Sequence, residues 1–158
     1  MAIRNIRVDS DPLLRKTSKP VIKFDDSLHV LLDDMAETMG EAEGVGLAAI
    51  QIGILKRIFI VDVGEGVIEF INPTILKEEG EQIGDEGCLS VPKRFGQVKR
   101  PNIVTISAQD RFGTEFEITR SELFARAICH EMDHLNGKIF TDLVIGEIFK
   151  ITDEEEIE

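Results

Sequence analysis

Cysteine is scarce in this 158-residue chain, with only Cys88 and Cys129 present. Two cysteines cannot build the disulfide framework of a small secreted domain. In a reducing compartment they serve as ligands or as core residues. Long apolar runs are missing as well, and none approaches the roughly 18 residues that a transmembrane helix needs. The opening stretch MAIRNIRVDSDP alternates polar and apolar residues and lacks the apolar segment of a signal peptide. Positive charge is short: 18 Lys and Arg stand against 30 Asp and Glu, a formal net charge of -12. That balance excludes a broad phosphate-binding surface, because nucleic-acid binding is driven by basic patches. The expectation is a cytoplasmic protein that touches neither membrane nor nucleic acid directly.

No internal repeat and no long linker interrupt the chain. Hydrophobic residues make up 42% of it, enough for one sizeable core. The length fits one domain, expected over residues 1–158, with 144–158 as a short acidic C-terminal tail. Residues 2 to 24 read as irregular, since Pro12 and Pro20 block long helices. Leu28, Leu31, Leu32, Met35 and Met39 recur at helical spacing, so a helix is expected from about Asp25 to Ala42. His29 falls off that stripe and reads as a surface residue. Strands are expected at 57–63, 67–72, 74–82, 97–100, 103–108 and 114–118, with turns at Gly64–Gly66 and Asp110–Gly113. A second helix is expected from about Arg120 to Leu135, opened by a Thr119/Glu122 capping box and stopped by Gly137. Helix, strands, helix implies an α+β fold. Its sheet would be mostly antiparallel and packed around a central helix, with a further N-terminal helix.

The central helix carries His130, Glu131 and His134 as H-E-x-x-H. Positions i and i+4 share one helix face, so both imidazoles can reach one metal. Glu131 projects roughly 100° away, where it can flank a water on that metal without being a ligand. Leu123 and Ala127 lie on the histidine face. A catalytic site commonly has three protein ligands and an open position. Cys88, in the run Glu86-Gly87-Cys88-Leu89-Ser90, is the best third candidate, because thiolate suits zinc or ferrous iron. Glu154 in the tail is an alternative, as in an H-E-x-x-H endopeptidase. Cys129 points off the metal face and reads as packing.

Three ordered segments carry a family resemblance. Gly44-Val45-Gly46-Leu47-Ala48-Ala49-Ile50-Gln51, then Glu86 to Ser90, then His130 to Leu135 together resemble the peptide deformylase family. The resemblance spans about residues 5 to 143. It implies a hydrolase that removes the N-formyl group from the initiator methionine of new polypeptides and releases formate. It implies one divalent metal on Cys88, His130 and His134: Fe2+ in the cell, with Zn2+, Ni2+ or Co2+ as substitutes. It implies Glu131 as general base and an oxyanion held by Gln51 and the Leu89 N–H. The methionine side chain would enter a pocket near Val45, Leu89, Leu123 and Ala127, and Gly46 would let backbone approach the substrate closely. The implied partners are N-formyl-methionyl nascent peptides, with transient ribosome association. Some positions differ from common family patterns. Ile50 stands where proline or threonine is frequent, and Cys129 where glutamine is frequent. Phe95 stands where some members carry arginine near the pocket rim, and the acidic tail replaces a longer basic helix found in some members.

Overall fold

The structure, a computed structural model, describes residues 2–151. Helix α1 spans Asp26–Glu41, capped by the Asp25 side chain, which accepts from the Leu28 N–H. Seven strands follow: β1 Gly46–Ala48, β2 Ile58–Val61, β3 Ile68–Glu79, β4 Gln82–Cys88, β5 Val91–Arg100, β6 Ile103–Gln109 and β7 Glu115–Ser121. Helix α2 covers Glu122–Leu135, and β8 Ile145–Lys150 comes last. The strands form a five-stranded sheet in the order β1-β2-β3-β6-β7 and a three-stranded sheet in the order β4-β5-β8. Every pairing between these strands is antiparallel, as the expected α+β architecture requires.

The β1-β2 side of the five-stranded sheet, with the first half of β3, is buried on both faces, and alternation along the strands sorts the residues. Phe59, Val61, Phe70, Val104 and Ile106 face α2, where they meet Phe124, Ala127, Ile128 and Leu135. Ile58, Ile60 and Ile71 face α1, where they meet Leu28, Leu31, Leu32, Met35 and Met39. Each such side chain contributes about 1.5–3 kcal/mol on full burial. A third cluster under the small sheet joins Leu14, Val91, Val98, Ile139 and Phe140. Ten of the fourteen residues of α2 are buried, including both of its histidines. That degree of burial follows from its place between the two sheets, where β1, β2, β5, β6 and β7 all touch it.

Several elements differ from expectation. The stretch expected as two strands around Pro73 is one long β3. A register shift between Ile71 and Thr74, with Asn72 at φ 51°, absorbs the proline. β4 was not expected, because Gly84 and Gly87 dilute its alternation. The expected capping box at Thr119 does not form. β7 keeps its register with β6 as far as Ser121, opposite Ile103, and the chain passes straight from strand to helix through Glu122 at φ 57°. Residues 145–150, expected within a tail, pair with β5 instead. All six are exposed, so no buried stripe marks them as a strand. The residues from Thr152 to Glu158, including Glu154, lie outside those described. Gly137 does end α2 in the left-handed region, at φ 75°. No described helix is long and apolar enough to cross a membrane.

Candidate metal centre

Three elements distant in sequence bring the predicted residues together. α2 supplies His130, Glu131 and His134 from its buried face. The end of β4 supplies Cys88, and the short 3-10 turn after β1, Ala49–Ile52, supplies Gln51. The Cys88 Sγ and one nitrogen of each histidine all lie within 4.8 Å of one another. Sγ is 3.3 Å from His134 Nε2. Soft sulfur with two imidazoles is a donor set for a first-row divalent metal. The histidine tautomer fits as well. His130 Nδ1 is 2.9 Å from Glu86 Oε1, so Nε2 is left for a metal, in the carboxylate–histidine arrangement that fixes ligand orientation. Cys129 is buried in the core, and burial pushes its thiol up to about 12. It stays protonated and packs, as its helical position implied.

Glu131 is buried, and its Oε1 has no hydrogen-bond partner among the described residues. Its Oε2 stands 4.0 Å from His130 Nε2, beside the ligand atoms rather than among them. Burial lifts its carboxyl from the ordinary 4.5 to about 7, which suits a proton acceptor working near neutrality. Burial would hold His130 neutral, but hydrogen bonding to Cys88 and Glu86 wins and raises it well above its usual value. His134 is lowered by burial and by the charge of His130.

Gln51 is locked at both ends. Its Oε1 accepts from the Ala48 N–H at 2.9 Å, so Nε2 must point outward. Nε2 donates to Ser90 Oγ at 3.0 Å and approaches Cys88 Sγ at 3.5 Å. Its NH2 is therefore held at the metal group's edge. Gly46 has a role that the sequence did not reveal. A Cβ there would lie 2.5 Å from Glu131 Oε2, so its hydrogen makes room for the carboxylate itself.

A cavity of about 430 Å³ opens over this group. Val45, Gly46, Gln51, Cys88, Leu89, Leu123, Ala127, His130 and Glu131 all border it. Every predicted site residue except His134 thus meets in one cavity, and His134 lies fully buried behind the metal group. Phe95 forms part of the rim, packed where a Cβ on Gly87 would sit. His29 is remote. It is half-buried, with Nε2 on the Arg111 carbonyl.

The polypeptide deformylase family model matches residues 3–147. A peptide deformylase of Alkaliphilus metalliredigens is 60% identical over 147 residues, 93% of this chain and all of that protein. The chain belongs to the polypeptide deformylase family. The fold agrees with that of solved deformylases. The Thermotoga maritima enzyme superposes with a TM-score of 0.90 at 41% identity, covering 92% of this chain and 100% of that one. A Met-Ala-Ser-bound deformylase of Acinetobacter baumannii superposes with a TM-score of 0.87 at 32% identity, covering 90% and 99%. As a deformylase, the protein is a metal-dependent hydrolase that removes the N-formyl group from newly made polypeptides.

What sequence reasoning missed in this deformylase site is a buried ionic network behind His130. Glu86 pairs with His130, and it also accepts from Arg100 Nε at 2.8 Å and Nη2 at 2.9 Å, and from Arg126 Nη1 at 2.7 Å. Arg100 reaches on to Asp133 at 2.7 Å. Burial alone would raise the Glu86 carboxyl, but the hydrogen bonds from Arg100 and His130 outweigh it and hold it near 2. The only available signal was that Glu86 lies in the same short motif as Cys88.

Proposed function

We propose that Cys88, His130 and His134 hold one divalent metal in a single catalytic domain, and that this chain's residues divide the deformylation among them. The observation that carries this reading is the convergence of Sγ and two imidazole nitrogens within 4.8 Å, at the floor of a cavity bordered by Glu131 and Gln51. The metal is Fe2+ in the cell, and Zn2+, Ni2+ or Co2+ serve in its place. When bound, it polarises the formyl oxygen and lowers the pKa of a water. Glu131 accepts the proton of the attacking water and then delivers it to the departing amine as the C–N bond breaks. The Gln51 NH2 and the Leu89 N–H donate to the oxygen that gains charge, a term commonly worth about 2.7–4 kcal/mol per donor. Val45, Leu123 and Ala127 line the pocket for the methionine side chain, with Gly46 beside Glu131. The Met-Ala-Ser ligand of the Acinetobacter relative has the chemistry of the peptide released, and it supports N-formyl-methionyl nascent chains as substrates. Such substrates place the enzyme in the cytoplasm, in transient association with the ribosome.

The decisive experiment compares Cys88→Ala, Cys129→Ala and a chain truncated after Lys150 by metal analysis and formate release. Cys88→Ala should lose metal and activity, and the other two should retain both. An active, metal-replete Cys88→Ala protein would overturn the ligand assignment.

A further inference from the structure

Arg126 stands one turn before His130 on α2 and borders the same cavity, yet none of the steps above uses it. Its side chain is 9% exposed. All three of its hydrogen bonds among the described residues leave from Nη1: to Glu86 Oε2 at 2.7 Å, to the Val98 carbonyl at 3.1 Å and to the Gly84 carbonyl at 3.3 Å. Nη2 and Nε make none among the described residues, and neither is among the fully buried, unpartnered polar atoms. Nη2 lies 3.0 Å from where a Cβ on Gly84 would sit, so the glycine makes room for it. A guanidinium carries five N–H donors. Those on Nη2 and Nε remain unspent on a residue that borders the pocket.

We propose that Arg126 determines specificity for the first side chain by offering these donors to the methionine sulfur. The proposal rests on the pocket reading above and deepens it. Position supports it from two directions. Four residues of helix rise about 6 Å, so Arg126 lies roughly one methionine side chain away from His130 along the pocket wall. One carboxylate, Glu86, bridges the two residues, which fixes the guanidinium at that range. Chemistry supplies the discrimination. Norleucine matches methionine in shape but has CH2 in place of sulfur. A wholly apolar pocket would take it at least as well, since it is the more apolar of the two. A pocket with unspent donors favours the side chain with an acceptor, even a weak one.

The test measures kcat/KM for formate release from N-formyl-Met-Ala-Ser and N-formyl-norleucyl-Ala-Ser by the metal-loaded enzyme. Metal content and melting temperature are determined for each variant. The native enzyme should prefer methionine by about three- to tenfold, the range of a weak hydrogen bond. Arg126→Leu should bring the ratio to one or below. Arg126→Lys should do the same, because its one nitrogen takes the place of Nη1, where Glu86, Val98 and Gly84 claim its three N–H donors, and the Glu86 charge stays paired. A merely structural role would lower both rates together and leave the ratio intact. If Arg126→Leu loses metal or does not fold, Arg126→Lys decides. A native ratio near one, or a native-like ratio in Arg126→Lys, overturns the proposal while leaving the deformylase site standing. Failure of the native enzyme to release formate from either peptide would overturn the site reading, and this proposal with it.

Discussion

Replacing Gly46 with alanine should disable catalysis without removing a single catalytic group. The added Cβ would stand 2.5 Å from Glu131 Oε2, 3.0 Å from Cδ and 3.1 Å from Cγ. Ordinary contact begins at 3.4 Å, so the carboxylate must withdraw by about 0.9 Å. It cannot swing freely, because Glu131 is buried and α2 fixes its backbone. A misplacement of about 1 Å commonly costs about 100-fold in rate. Overpacking of this kind costs about 1–3 kcal/mol in stability, a fall of several degrees in Tm for a chain of this size. The assay is formate release at saturating substrate, with metal content measured on the same samples. The expected result is kcat down by about 100-fold with metal retained, since the three atoms nearest the added Cβ all belong to Glu131 and none to a proposed ligand. Gly44→Ala is the internal contrast. Its Cβ meets the flexible end of Leu89, 2.8 Å from Cδ1, so it should act on KM more than on kcat. A Gly46→Ala enzyme with kcat within about threefold of the native value would refute the view that this glycine seats the base, since seating is worth far more than that.

Two further outcomes follow from the charges around the site. Burial lifts Glu131 from 4.5 to about 7, while the unfolded chain ionises it from 4.5 upward, so the folded state loses stability as pH rises across that interval. In chelator-treated protein, Glu131→Gln should therefore be more stable than the native sequence at pH 8, by roughly 3 kcal/mol, and indistinguishable from it at pH 4. A gain of equal size at both pH values would contradict this. Glu86 is shifted the other way, to about 2, so its contribution is present above 4.5 and lost as pH falls toward 2. Glu86→Gln leaves Arg100 and Arg126 without their shared carboxylate and should cost about 3–5 kcal/mol in denaturant melts at pH 7, shrinking toward pH 2. A variant as stable as the native protein at pH 7 would show the network to be dispensable.

The helical part of the site was legible because its information is local. His130 and His134 share a face by spacing alone, and the same arithmetic put Leu123 and Ala127 toward the cavity and Cys129 away from it. Cys88 was a candidate by thiolate chemistry before the family pattern singled it out, and Gln51 was legible only within that pattern, since a lone cysteine or glutamine carries no periodic signal. The Glu86 network was not legible. Its partners lie 14, 40 and 44 residues away along the chain, and nothing local marks an arginine as buried. The fold shows the same division. The apolar stripe of α1 was plain from its leucines and methionines. β4 was hidden by its glycines and β8 by its complete exposure. The start of α2 was misread because Thr119 and Glu122 have the spacing of a cap, while pairing with β6 keeps residues 119–121 in a strand.

The distribution of the site along the chain also bears on how the protein is made. Gln51 belongs to the first third of the polypeptide, Cys88 to the middle, and the two histidines to a helix completed only at Leu135. During synthesis, folding proceeds from the N-terminal side as the chain emerges. Until α2 exists and docks, the emerging chain presents Cys88 without the two imidazoles proposed to join it, and metal binding at the proposed site is a property of the assembled fold. Prematurely ended chains thus lack most of the proposed ligand set, and a fragment that ends before residue 130 should be inert rather than half-active.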